Sequence, residues 1–225
     1  MKKIELHFHT AQSSPCGKVD AAEGVRLYRQ KGFQGVAVTD HFSKSVWGGP
    51  EGTSWSSVRE QFLEGWRQAC RAAETQEGEE PFSVFLGMEI RFPFDENDFL
   101  VYGMDEEFFT RYPWLFMEDQ KTVYEIAEKE GLFMAQAHPF RKSCFPGDTR
   151  CLHGIEVYNG NPRHDSRNPL AKALAKKTGL RQTVGSDFHQ MGDFSGMYTS
   201  LEQIPADGRE LARMLREGQF GAGTL

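Results

Sequence analysis

Apolar residues come in short blocks along the chain, and the spacing inside each block predicts its element. The first, IELHFHT at residues 4–10, reads as a strand. Successive strand side chains point to opposite faces, so His7 and His9 share one face and Phe8 takes the other. VDAAEGVRLYRQKG follows with Val25, Leu27 and Tyr28 at helical spacing, Asp20 placed to cap the start with Glu23 three residues on, and Gly32 to stop the helix. GVAVTDH is a second, β-branched strand. A loop rich in Gly, Ser and Trp runs from Phe42 to Ser57, and a long helical pattern extends from Val58 to Glu74. The polar stretch AAETQEGEEP at 72–81 reads as that helix ending in a loop, before the buried-type strand FSVFLGMEI.

RFPFDENDFLVYG has the pattern of a β-hairpin turning around Asp95, Glu96 and Asn97, and EDQKTVYEIAEKEGL that of a helix closing at Gly131. LFMAQAHP, HGIEVYNG and RQTVGSDFH are further strands. NPLAKALAKKTG is a helix with Pro169 in its first turn, and a last helix spans about Asp207 to Glu217. Repeated strand and helix units imply a parallel sheet, and about seven of them in one chain imply a closed or nearly closed α/β barrel.

A chain of 225 residues, 39% hydrophobic and 12% aromatic, can bury a large core as one domain. The N-terminus lacks an apolar run of signal-peptide length, and no segment approaches the roughly 18 apolar residues of a membrane span, so a soluble cytoplasmic protein is expected. The formal charge of −6 argues against a surface that grips long nucleic acid. Of the four cysteines, Cys70 falls on a helix, Cys16, Cys144 and Cys151 read as loop thiols, and none has C-x-x-C spacing. Neither a G-x-S-x-G elbow nor a G-x-x-x-x-G-K-[ST] phosphate loop is present.

The chemistry collects where the strands stop. LHFHT, VAVTDH, FLGMEI, MAQAHP, IEVYN and TVGSDFH nearly all finish in His, Asp, Glu or Asn. In a parallel barrel the carboxyl ends of the strands build the active site, which would gather His7, His9, Asp40, His41, Glu89, His138, Asp187 and His189 on one rim. Taken singly, an Asp-His pair after a strand reads as a cap, and Glu89 as an ion-pair partner of Arg91. Taken together, so many buried ionisable groups cost several kcal/mol apiece unless cations pair them, and imidazole with carboxylate suits zinc, manganese or iron. The expectation is a multinuclear metal centre.

H-x-H at the start, T-D-H after the second strand, an isolated Glu after the third, H-P in the middle and G-S-D-x-H near the end resemble the PHP (polymerase and histidinol phosphatase) superfamily of metal-dependent phosphoesterases. The match runs in order from residue 4 to residue 189. The resemblance implies a distorted (β/α)7 TIM-like barrel, with residues 1–225 a single PHP-type domain, two to three divalent transition-metal ions (Zn, Mn or Fe), and hydrolysis of phosphate esters. Carried over by position, it implies that His7, His9, Glu89 and Asp187 hold a first ion, Glu89 and His138 a second, and His41 and His189 a third. Two places depart from the family pattern. Asp98 in DFLVY stands where many relatives have His, and is expected to ligate the second ion. The SSPCG loop offers only Ser14, Cys16 or water to the third. Asp40 is expected to orient a ligand rather than bind metal.

On the substrate side, Arg141, Arg163 and His164 follow strands directly, and a phosphate needs cationic donors. Asn159 and Glu156 match a strand end on the same rim, where a substrate role and hydrogen bonding to neighbouring loops stand as equal readings. His153 lies at the opposite end and reads as structural. The expected activity is hydrolysis of a small phosphomonoester through a metal-bound hydroxide, with Glu89, Asp187 and His138 as the catalytic set. Alternatives are an amidohydrolase-type metal hydrolase, a 5′–3′ exonuclease on short oligonucleotides, and a non-catalytic metal-binding regulatory protein. The expected partner is a small phosphorylated substrate, with no membrane.

Overall fold

A computed structural model of the chain describes residues 1–74 and 80–225. Strand β1 (Lys2–Phe8) is buried on both faces from Ile4 onward and lies inside the sheet, between β9 and β2. Helix α1 (Ala21–Gln30) begins where the Asp20 carboxylate accepts the Ala22 N–H, and ends before Gly32, whose φ of 77° is left-handed backbone that glycine adopts without strain. Strand β2 (Gly35–Val38) follows. The segment expected to be loop from Phe42 onward instead carries strand β3 (His41–Ser43) and the single-turn helix α2 (Lys44–Trp47), and the long helix α3 (Trp55–Ala73) starts earlier than its periodicity suggests. Residues 75–79, within the polar stretch, lie outside the described residues.

β4 (Ser83–Arg91) and β5 (Phe99–Tyr102) form the expected hairpin, with Ile90 opposite Phe99. The short helix α4 (Phe108–Arg111), α5 (Gln120–Glu130), β6 (Phe133–Gln136) and β7 (Gly154–Asn159) follow. α6 (Asn168–Thr178) has Pro169 in its first turn and leads into β8 (Arg181–Gly185). Strand β9 (Met197–Leu201) has no clear period-2 pattern in the sequence. α7 (Gly208–Glu217), capped by Asp207, returns the chain to β10 (Gly221–Thr224).

The sheet order is β10-β9-β1-β2-β4-β5-β6-β7-β8, with β3 also paired to β4. It is mixed rather than wholly parallel: β4/β5, β5/β6, β1/β9 and β9/β10 are antiparallel, the first joined by a hairpin, β5 and β6 through α4 and α5, and β9 and β10 through α7. β8 comes round beside β1, where a single bridge, Phe8 to Phe188, takes the place of a ladder. The result is a nearly closed, distorted TIM-like α/β barrel. Leu6, Leu100, Tyr102 and Ala135 belong to one core cluster, while α3 and α5 pack outside on a second cluster that includes Phe62, Met88 and Val123. None of the described helices is long and apolar enough to cross a membrane.

Candidate metal centre

The strand ends bring all eight expected ligands together, and the backbone is shaped for it. β8 must run close to β1 just before Asp187. At Gly185 an added Cβ would stand 2.5 Å from the His7 Cβ and 3.0 Å from Glu156 Oε1, so only glycine lets the strand through. His138 and Asp187 then sit at φ of 27° and 52°, backbone that non-glycine residues avoid. Both hold their side chains inward from this conformation.

Four groups of ligand atoms lie within 4.8 Å of one another: His7, His9 and Glu89; His7, His138 and Asp187; His9, His41 and His189; His41, Glu89 and Asp98. Glu89 is the hub. Its carboxylate lies 3.2 Å from His7 Nε2, 3.3 Å from His9 Nε2, 2.8 Å from His41 Nδ1 and 3.1 Å from His138 Nε2. The grouping departs from the expected distribution, since His9 joins His41 and His189, and Asp98 falls with His41 and Glu89 as well as 3.9 Å from His138.

Secondary contacts fix how the rings present themselves. His7 Nδ1 bonds Glu156 Oε1 at 2.8 Å, His9 Nδ1 bonds Ser14 Oγ at 3.2 Å, and His189 Nδ1 donates to the Asp187 carbonyl at 3.0 Å. Each leaves Nε2 to the cluster, the arrangement by which outer groups orient metal-binding imidazoles. Asp40 does not enter the cluster. It accepts the Thr10 N–H, the Thr10 hydroxyl and the Ser14 hydroxyl, each at 2.7 Å, and thus orients His9 through Ser14. Ser14 also accepts the His41 N–H at 3.0 Å, so its hydroxyl is committed to positioning. Cys16 is exposed and lines a cavity with His41 and Asp98.

The electrostatics describe carboxylates held among positive charge. Burial pushes Glu89 up, but His7, His41 and His138 outweigh it and hold the carboxyl well below its ordinary range. Asp187 is likewise lowered against burial, by His7, His9 and Arg141. Burial pulls His7 down, yet Glu156, Asp187 and Glu89 keep it well above 6.5, and His138 is raised to about 9. His189, buried beside His9, falls to about 3.

Among the buried side-chain atoms that make no hydrogen bond of good geometry, His7 Nε2, His9 Nε2 and Glu89 Oε2 all belong to the cluster. Orphaned buried polar atoms are costly, and these three converge on one group. A donor set of imidazole nitrogens and carboxylate oxygens, oriented from behind, fits divalent transition-metal ions.

The substrate-side residues divide. Arg141 Nη2 reaches Asp187 Oδ2 and, at 2.9 Å, Asn159 Oδ1. His164 is largely exposed, and its partial desolvation together with the nearby Arg141 and Arg163 lowers its pKa. Arg163 does not converge on the cluster: its guanidinium clamps Asp193 at 2.9 and 2.8 Å, and Asp193 in turn accepts the His189 N–H. Asn159 is buried and used internally, donating to Glu156 Oε2 at 2.9 Å. Glu156 also accepts the His138 N–H at 3.0 Å, so it positions two of the histidines. Arg91 pairs with Asp98 at 2.7 and 2.6 Å rather than with Glu89.

No family model matches the chain, and no curated protein matches it. Solved structures do. PsfC from Pseudomonas syringae aligns over 100% of this chain and 91% of its own at 16% identity and a TM-score of 0.68. A two-domain protein from Bacteroides vulgatus, containing a predicted PHP-like metal-dependent phosphoesterase, aligns over 99% of this chain and 64% of its own, at 19% identity and a TM-score of 0.60. The chain has the PHP-type fold. Endonuclease Q, in complex with a 27-mer duplex bearing an abasic lesion, shares that fold at 12% identity and a TM-score of 0.59, over 99% of this chain and 58% of its own. The PHP-type barrel is thus the common frame, and at these identities the likeness is one of fold.

Proposed function

We propose that residues 1–225 form a PHP-superfamily domain that hydrolyses a small phosphomonoester with the help of two to three divalent ions. The observation that carries this reading is the convergence of His7 Nε2, His9 Nε2 and Glu89 Oε2, which make no hydrogen bond of good geometry and are buried among oriented imidazoles and carboxylates. Zinc, manganese or iron would be held by His7, His9, Glu89, Asp98, His138, Asp187, His41 and His189. Bound there, such ions supply an acidified water and charge to stabilise the phosphoryl oxygens. Arg141, beside Asp187, supplies a cationic fork for the phosphate, and the exposed His164 stands at the same edge. Glu156 and Ser14 keep His7 and His9 in one tautomer. Glu89, Asp187 and His138 form the catalytic set. Arg163, committed to Asp193, acts by holding the His189 loop.

Endonuclease Q acts on duplex DNA on the same fold, which makes a nuclease the second reading. The formal charge of −6 favours the small substrate, because polymer binding rests on neutralising many phosphates. The test is hydrolysis of a panel of phosphomonoesters beside single-stranded DNA and RNA of increasing length, at low and high salt. Turnover of the monoesters with shallow salt dependence is expected. Faster cleavage of longer strands, lost steeply on adding salt, would make the chain a nuclease instead.

A further inference from the structure

We propose that the cleft leading outward from the metal cluster between α2 and the β4–β5 loop binds the leaving group of the substrate as a nucleoside, with its base on Phe94. This rests on the phosphomonoesterase reading for the position of the phosphate. Beside His41 and Asp98 lies a cavity of about 300 Å³ that Ser43, Ser45 and Arg91 also line. Those three residues continue into a second hollow of about 520 Å³, walled by Phe92, Pro93, Phe94 and Met117. The volumes suit a small polar ligand with one planar apolar part. The Ser43 and Ser45 hydroxyls, 2.9 Å apart, offer hydrogen bonds midway, where a sugar would lie.

Phe94 is the unusual member. Its side chain is fully exposed, and its φ of 62° is left-handed backbone, a rare conformation for a bulky residue. Folding alone has no use for an aromatic ring placed in water on strained backbone, and such outliers point toward ligand contacts. Stacking suits any base, since every base has a π-face. The same hollow is also lined by Asp95, Glu96 and Lys44, and Arg91 is already paired with Asp98. A second phosphate would therefore meet two carboxylates against the one lysine, whereas base amino groups would find acceptors. The cleft accordingly favours a mononucleotide over a strand.

The experiment compares adenosine 5′-monophosphate with ribose 5-phosphate, which has the same ester without the base, using the manganese-loaded enzyme. The wild type should prefer the nucleotide in kcat/KM by about 5- to 100-fold, the range expected of one base stack, chiefly through KM. Phe94→Ala should abolish that preference and Phe94→Trp should keep it. Phe145→Ala, another exposed phenylalanine but outside the cleft, should change neither substrate. Equal turnover of both esters by the wild type, or an unchanged preference in Phe94→Ala, would overturn the proposal. If neither ester is hydrolysed, calorimetry with the same two compounds separates the readings. Base-dependent binding that Phe94→Ala removes keeps the cleft and sinks the phosphatase reading, and no binding sinks the cleft.

Discussion

Glu5 and Ser186 join β1 to β8 through side-chain chemistry: the Ser186 N–H donates to Glu5 Oε1 at 3.0 Å and the Ser186 hydroxyl to Oε2 at 2.6 Å. Oε1 also accepts the His7 N–H at 2.8 Å, and Oε2 the Tyr28 hydroxyl at 3.0 Å. One buried carboxylate thus does at the barrel seam what a strand ladder does elsewhere. It fixes the spacing of the backbones that carry His7 and Asp187. Replacing Glu5 by Ala should cost about 2–4 kcal/mol in urea unfolding, because several buried donors lose their acceptor together. A change under about 0.5 kcal/mol would show that the seam does not depend on it.

Manganese or zinc should stabilise the metal-free protein, by about 2.7 kcal/mol at a hundredfold excess over Kd if only the folded state binds. Glu89→Gln and Asp187→Asn should lose most of that gain while remaining folded by circular dichroism. Calorimetric melting with and without metal checks this, and an unchanged midpoint in the wild type would remove the metal centre.

Ser14→Ala should weaken metal binding by about 10- to 100-fold, since the hydroxyl ties His9 and the His41 backbone to Asp40. Competition against a chelator of known affinity measures it. Wild-type affinity in the variant would leave Ser14 with no part in orienting ligands.

Arg141→Ala should lower kcat/KM for a phosphomonoester by an amount on the order of 1.5–3 kcal/mol, one charge-assisted contact. Arg163→Ala should act differently, mainly by loosening the loop that Asp193 holds. Steady-state kinetics of both variants, with their melting curves, distinguish the roles. Equal kinetic losses in the two would put Arg163 on the substrate as well.

His153, at the far end of the barrel, should make stability fall in acid. Burial, helped by Arg216, lowers its folded pKa below 6.5, and Nδ1 is already occupied as acceptor of the Met134 N–H at 2.9 Å. The unfolded chain takes the proton first, so His153 contributes stability above 6.5 that is lost as pH drops below it. His153→Gln should therefore show a flatter melting-temperature profile than the wild type between about pH 8 and about pH 5, with activity retained. Parallel profiles would refute this.

Much of the fold was legible because periodicity and cap residues mark most of its elements, as in the Asp20 cap, the helix closing at Gly131 and the β4–β5 hairpin. β3 and β9 were not. β3 is three residues long and continues directly from the β2 pattern, and β9, MYTSL, lacks clean alternation. Ligand identity was legible because strand-terminal His, Asp and Glu stand out against apolar runs. The supporting layer was harder to see. Ser14 and Glu156 stood out as rim residues but not as supports for His9 and His7, Glu5 did not stand out at all, and the roles of Glu156 and Glu5 depend on partners 149 and 181 positions away. Arg163 read as a free cation because nothing local marks its partner, Asp193, thirty residues on.

His138 and Asp187 carry a consequence for how this protein could be improved or worn away. Their left-handed φ angles cost on the order of 1–3 kcal/mol each, and glycine at either position would relieve that cost. Selection for heat tolerance alone, with no demand for turnover, would accordingly erode these two positions among the first and leave a sturdier, inert barrel. Durability and chemistry compete for the same two residues.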